Sequence, residues 1–223
     1  MSDRDSLAAM LARLSYRHGT FRLASGKTSD FYVDVKQTVM SAEGAGLIGK
    51  LLYERLRVHG VSCVGGMAVG AVPLVTAALA AAGTANAALD GFFVRKEAKE
   101  HGTARKIDGR FAADARIALV EDVVTTGEST LQAIDAVEAA GGCVELVVTV
   151  VDRQEDDGLA DARGEDLGHR LDTEIAREIL GRSLETERGV SNGHQFASGL
   201  GPGGARLQTR DGPEVIAAAL AGR

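Results

Sequence analysis

The sequence predicts an α/β protein: a mostly parallel, doubly wound sheet flanked by helices, with a small N-terminal hood. Three observations carry that expectation. From residue 41 onward, helical patterns alternate with short apolar runs, as in successive right-handed βαβ units. Two of those runs, 117–120 and 144–151, are continuously apolar, which is how strands buried on both faces read. Residues 1–40 fall outside the repeat and carry a helix and two strands of their own.

Taken in order, residues 5–18 read as a helix with Leu7, Met10, Leu11 and Leu14 on one stripe, ended by Gly19. Strands at 21–24 and 31–36 flank the polar turn 25–30. A helix at 42–59 turns Ile48, Leu52 and Leu56 inward. A strand at 61–64 then runs into the glycine-rich turn Gly65-Gly66-Met67-Ala68-Val69-Gly70. A helix at 73–82, strands at 92–94 and 117–120, a helix at 129–140 and a strand at 144–151 follow. The predicted units are the hood, 1–40, the core, 41–155, and a divergent extension, 156–223, partly helical or disordered. That extension is charged and glycine-rich, and no Lys occurs beyond Lys106. Helices at 173–180 and 213–221 are expected there, around a polar stretch at 191–204. A closing strand is also expected, but no run reads as one.

Composition narrows the function classes. A net charge of −6 argues against bulk nucleic-acid binding, which draws on broad basic surfaces. It leaves room for a small phosphorylated ligand held by a local basic cluster. Cys63 and Cys143 sit in apolar runs and are expected to be small buried hydrophobes in a reducing compartment. The polar N-terminus and the lack of any bilayer-length apolar run predict a cytoplasmic protein. His18, His59, His169 and His194 show no ligand pattern.

The most informative string is Ile117-Ala118-Leu119-Val120-Glu121-Asp122-Val123-Val124-Thr125-Thr126-Gly127-Glu128-Ser129-Thr130. An apolar strand ends in two acids, and a hydroxyl-rich turn with one glycine opens a helix. Ligands of open α/β sheets bind at the carboxyl ends of strands. Helix N-terminal amides and their dipole suit an anion. Vicinal sugar hydroxyls can donate to adjacent carboxylates. The string therefore describes a cradle for a ribose 5-phosphate. It is neither a Walker loop nor a dinucleotide fingerprint.

A second segment, Arg95-Lys96-Glu97-Ala98-Lys99-Glu100-His101-Gly102, opens a stretch without apolar periodicity. Between Arg95 and Arg110, six basic residues against three acidic ones leave a local charge of +3 in an acidic chain. Cations of this kind can stabilise a polyanionic leaving group as its charge develops.

The first string resembles the phosphoribosyl-pyrophosphate motif of the type I phosphoribosyltransferases. The basic segment resembles the catalytic loop of the orotate phosphoribosyltransferase family in particular. Two further segments are similar to the same family: residues 21–32, like its hood, and Val151-Asp152-Arg153-Gln154-Glu155, like the strand end that carries an orotate-binding Arg. The resemblance implies transfer of a phosphoribosyl group from phosphoribosyl pyrophosphate to orotate. It implies that Glu121 and Asp122 meet the ribose hydroxyls. Val123, Val124, Thr125, Thr126, Gly127, Glu128 and Ser129 would complete the phosphoribosyl site, with the anionic Glu128 turned to solvent. It assigns Arg95, Lys96, Lys99 and His101 to pyrophosphate, with Arg95, Lys99, His101 and Asp122 catalytic. It assigns Arg153, Phe31, Tyr32 and Thr125 to orotate. Many members carry a Lys where this chain has Ala24, and Lys27 is the candidate substitute. The resemblance further implies magnesium carried on substrate oxygens rather than by direct protein ligands. It also implies a homodimer in which Lys99 and His101 serve the neighbouring subunit's site. A purine-type phosphoribosyltransferase and a non-catalytic nucleotide-binding regulator are the alternatives on the same fold.

Overall fold

The computed structural model describes residues 2–22, 26, 28–97, 106–153 and 171–172. The first helix, α1 (Asp3–Leu14), starts at a capping box in which Ser2 and Asp5 satisfy each other's backbone N–H groups. It ends four residues earlier than periodicity suggests, because Tyr16 to Arg22 form strand β1, with Gly19 inside it. β1 pairs antiparallel with β2 (Thr28–Val33) as a separate two-stranded sheet, the hood. β2 stops at Val33 rather than 36. The Asp34 carboxylate accepts the Lys36 backbone N–H at 3.2 Å, and this Asx-type turn opens a short helix, α2 (Lys36–Val39).

Helix α3 (Ala42–Val58) begins at Ser41, whose hydroxyl accepts the Gly44 N–H. Strand β3 (Cys63–Gly65), helix α4 (Ala71–Thr84) and strand β4 (Asp90–Val94) form the first parallel unit. β5 (Ile107–Gly109) pairs antiparallel with β4. Residues 107–109 had no apolar periodicity because three residues at a sheet edge leave no room for one. β6 (Ile117–Val124), α5 (Glu128–Ala139) and β7 (Val144–Asp152) form the second parallel unit. The expected closing strand is β8 (Leu171–Asp172), parallel to β7 through Val147 and Val148. The helices expected at 173–180 and 213–221, and the stretch 191–204, lie outside the described residues.

The six-stranded sheet has the order β5-β4-β3-β6-β7-β8, and all pairings except β4–β5 are parallel. Ala118, Val120 and Val148 pack with α3 and α4 on one face. Ile117, Leu119 and Val147 pack with α5 on the other. Burial on both faces explains why β6 and β7 are almost wholly apolar. Cys63 is buried, as expected, and burial pushes its thiol pKa up. Cys143 is exposed, contrary to expectation: it lies just before β7 begins, outside the sheet. Among the described residues, no helix is long and apolar enough to cross a membrane.

Candidate active site

Strand order reverses between β3 and β6: chain progress runs outward to β4 on one side and to β7 on the other. In open α/β sheets such a reversal lies where the loops leaving the two strands diverge, and ligands bind there at the carboxyl ends. The loop after β3 is Gly66–Gly70, and the loop after β6 is Thr125–Gly127.

Glu121 and Asp122, adjacent on β6, do not face the same way. Glu121 is 6% exposed and points towards α5. Its Oε2 accepts the Ser129 hydroxyl at 2.9 Å and the Thr130 hydroxyl at 3.3 Å. Burial, and then the neighbouring Asp122 carboxylate, push the Glu121 pKa up to about 8, with Ser129 pulling against them. Asp122 faces the opposite side, towards the hood and the Gly66–Gly70 loop. Its Oδ2 takes the Lys36 ammonium at 3.4 Å, and its Oδ1 accepts the Val123 N–H at 2.9 Å. A Cβ on Gly70 would lie 2.6 Å from Asp122 Oδ1, so any side chain there would push the carboxylate from its place.

The β6–α5 turn is built for an anion. Gly127 is the N-cap residue of α5 at φ 77°, in the left-handed region. Among the described residues, no protein group accepts from the backbone N–H groups of residues 126–130, and the first helical bond runs from Leu131 to Gly127. Those orphan donors sit at the positive end of a 12-residue helix. Glu128 is exposed and accepts from Gln132, so its charge is turned away as expected. Gly127→Ala is expected to lower stability by about 1 kcal/mol through the strained left-handed residue. Urea denaturation measures this, and an unchanged midpoint would mean the turn does not need that conformation.

At the tip of β7, Arg153 is 2% exposed. Its Nη2 donates to the Ser29 hydroxyl at 2.8 Å and the Phe31 carbonyl at 3.3 Å. Its guanidinium lies 4.4 Å from the Phe31 ring centroid. Phe31 in turn stacks on Tyr16. Tyr32, 40% exposed, lies on the other face of the hairpin against Phe21, because neighbouring strand residues alternate. The structure thus brings Phe31 to Arg153 but not Tyr32.

At the end of β4, Arg95 Nε donates to the Asp108 carboxylate and its guanidinium lies 5.4 Å from the Phe93 ring centroid. The Arg95 N–H also reaches the Lys106 carbonyl at 2.8 Å, so the β4–β5 hairpin is closed at the base of the basic segment. Lys96 is exposed. Lys99, His101, Lys27 and Ala24 lie outside the described residues.

Three participants escaped the sequence reading. Ser29 anchors Arg153, Asp34 opens α2, and Lys36 joins Asp34 at 2.9 Å as well as Asp122. Burial pulls the Lys36 ammonium down, but Asp34 and Asp122 outweigh it and its pKa is raised. An Asp two residues ahead of a short polar run was a legible turn signal for 34–37. Nothing local marked the pairing with Asp122.

An orotate phosphoribosyltransferase of Rhodopseudomonas palustris strain BisB18 is 40% identical over 158 residues, covering 69% of this chain and 84% of the relative. The chain belongs to the orotate phosphoribosyltransferase family. Crystal structures of the Mycobacterium tuberculosis H37Rv orotate phosphoribosyltransferase share its fold. The complex with Fe(III) dicitrate is 42% identical, with TM-score 0.65, covering 76% of this chain and 94% of that one. The complex with 5-phospho-α-D-ribosyl 1-diphosphate is 37% identical, with TM-score 0.62, covering 76% and 93%. No protein-family model matches the chain. For an orotate phosphoribosyltransferase, the mostly parallel sheet and separate hairpin hood are the architecture the sequence led one to expect.

Proposed function

We propose that this chain transfers the 5-phosphoribosyl group from phosphoribosyl pyrophosphate to orotate, giving orotidine 5′-phosphate and pyrophosphate in pyrimidine biosynthesis. The observation that carries this reading is the gathering of Asp122, the unpaired amides after β6 and the buried Arg153 at the carboxyl ends of β6 and β7. The amides hold the 5-phosphate, Asp122 meets the ribose, and Arg153 with Phe31 meets the orotate carboxylate and ring. Held in this way, the ring nitrogen and the anomeric carbon are brought together, and positioning supplies much of the rate. Arg95 and Lys96 contact the departing pyrophosphate, and Lys99 and His101 reach over the site to stabilise its developing charge.

Magnesium is the expected metal. It is carried on diphosphate and ribose oxygens rather than by a protein cage, as suits an ion that keeps most of its ligands outside the protein. When bound, it neutralises charge on the leaving group. The protein is proposed to be cytoplasmic.

The test is orotate consumption, followed by absorbance, with phosphoribosyl pyrophosphate and magnesium, repeated with adenine, hypoxanthine and uracil. Loss of orotate absorbance is expected, with the other bases untouched. Consumption of a purine while orotate persists would overturn the assignment.

The active unit is proposed to be a homodimer with shared sites. Lys99→Ala is expected to be nearly inactive, and Arg153→Ala nearly inactive at orotate concentrations near the wild-type KM. If Lys99 serves the partner's site, mixing the two variants regenerates one intact site per hybrid dimer. Activity is then expected to reappear on mixing. No recovery, with subunit exchange demonstrated by a tag, would confine each site to one chain.

A further inference from the structure

The described part of the hood segment is fastened to the core at both ends of residues 29–36. At one end, Arg153 on the tip of β7 holds Ser29 and the Phe31 carbonyl. At the other, Lys36 reaches Asp122 on the tip of β6. Lys36 also holds Asp34 at 2.9 Å, and Asp34 accepts from Gln37 at 3.1 Å, so its ammonium is fixed from within its own turn. Asp122 is 13% exposed, while the Lys36 side chain is 45% exposed at the rim. The Gly70 backbone closes on Asp122 from the third side. The carboxylate that the proposed function assigns to the ribose is thus boxed by the hood, by its own strand and by the loop after β3.

We propose that Lys36 is a positioning residue for phosphoribosyl pyrophosphate: it holds the Asp122 carboxylate at the tip of β6 and locks the hood to the ribose-binding strand. This inference rests on the phosphoribosyl reading of the strand tip. Lys36 acts through Asp122, and its loss frees that side chain to sample other rotamers. The sugar end of the site then suffers, while the orotate end, anchored separately by Arg153, does not.

A double-mutant cycle on phosphoribosyl pyrophosphate binding, read by titration calorimetry, tests it. The four proteins are wild type, Lys36→Met, Asp122→Asn and the pair, each with thermal unfolding measured to exclude misfolding. Lys36→Met is expected to weaken phosphoribosyl pyrophosphate by about fivefold, the scale of one partly exposed ion pair. Its orotate KM should change by less than about twofold, since distant sites are nearly independent. Lys36→Arg should restore wild-type affinity, which a purely structural role for the alkyl stem would not require. On the Asp122→Asn background, Lys36→Met should add less than about twofold, because the interaction it removes is already gone. A full loss on that background would show Lys36 acting on the diphosphate itself and overturn the inference. Wild-type affinity in Lys36→Met would overturn it as well. A wild-type protein that binds no phosphoribosyl pyrophosphate is a separate result: it removes the underlying reading, and this inference with it.

Discussion

Arg153→Ala is expected to raise the orotate KM roughly a hundredfold, the usual scale for deleting a buried charged hydrogen-bonding group. The guanidinium joins three things at once. It lies against the Phe31 ring, it donates to Ser29 and the Phe31 carbonyl, and it sits at the β7 tip. Truncation leaves a void under Phe31 and removes one donor each from the Ser29 hydroxyl and the Phe31 carbonyl, which still bond each other at 3.0 Å. Orotate loses the cation for its carboxylate. Arg153→Lys should recover little, because one ammonium cannot present a planar fork to several acceptors and stack on a ring. Steady-state kinetics with both substrates varied checks this. Affinity for phosphoribosyl pyrophosphate should stay within a few-fold if the hood stays docked through Lys36. An unchanged orotate KM would sink the assignment of Arg153 to the base.

Between about pH 5 and pH 8, the protein should lose stability that Glu121→Gln retains. In the folded chain, the Glu121 carboxyl is pushed from its ordinary value of 4.5 up to about 8. Across that window the native state holds a proton that the unfolded chain has released. Stability therefore falls as pH rises, and the contribution is fully present only below the unfolded value. Glutamine keeps the shape, still accepts from Ser129 and Thr130, and cannot ionise. The expected difference at pH 8 is on the order of 1–3 kcal/mol in favour of the variant. Each kcal/mol corresponds to about 2–4 °C for a chain of this size. Thermal unfolding of both proteins at several pH values reads the difference directly. Parallel curves for the two would mean that Glu121 is ionised in the folded protein at neutral pH.

Much of the fold and part of the site were legible in the residues alone, for a physical reason. Strand burial, helix starts and a glycine turn that leaves helix amides open are local: each depends on residues a few positions apart. The apolar runs of β6 and β7, the glycine at the left-handed turn and the solvent-facing Glu128 all follow from such local rules. Short or turn-limited elements were harder to see. The three-residue edge strand β5 and the two-residue β8 carry no periodicity, and β2 ended early because the Asp34 side chain captured the Lys36 backbone.

The sequence by itself determined that this chain builds parallel βαβ units and ends one strand in two acids and an anion-seeking turn. Only the tertiary structure decided which way each acid points. Strand alternation sends Glu121 under α5 and Asp122 towards Lys36 and the loop after β3, and a string of letters does not say which face is which. The tertiary structure also decided that Arg153 is buried beneath Phe31 and that Lys36 clasps Asp122. Those contacts span 124, 122 and 86 residues of chain, and they exist only because the hood folds back onto the strand tips.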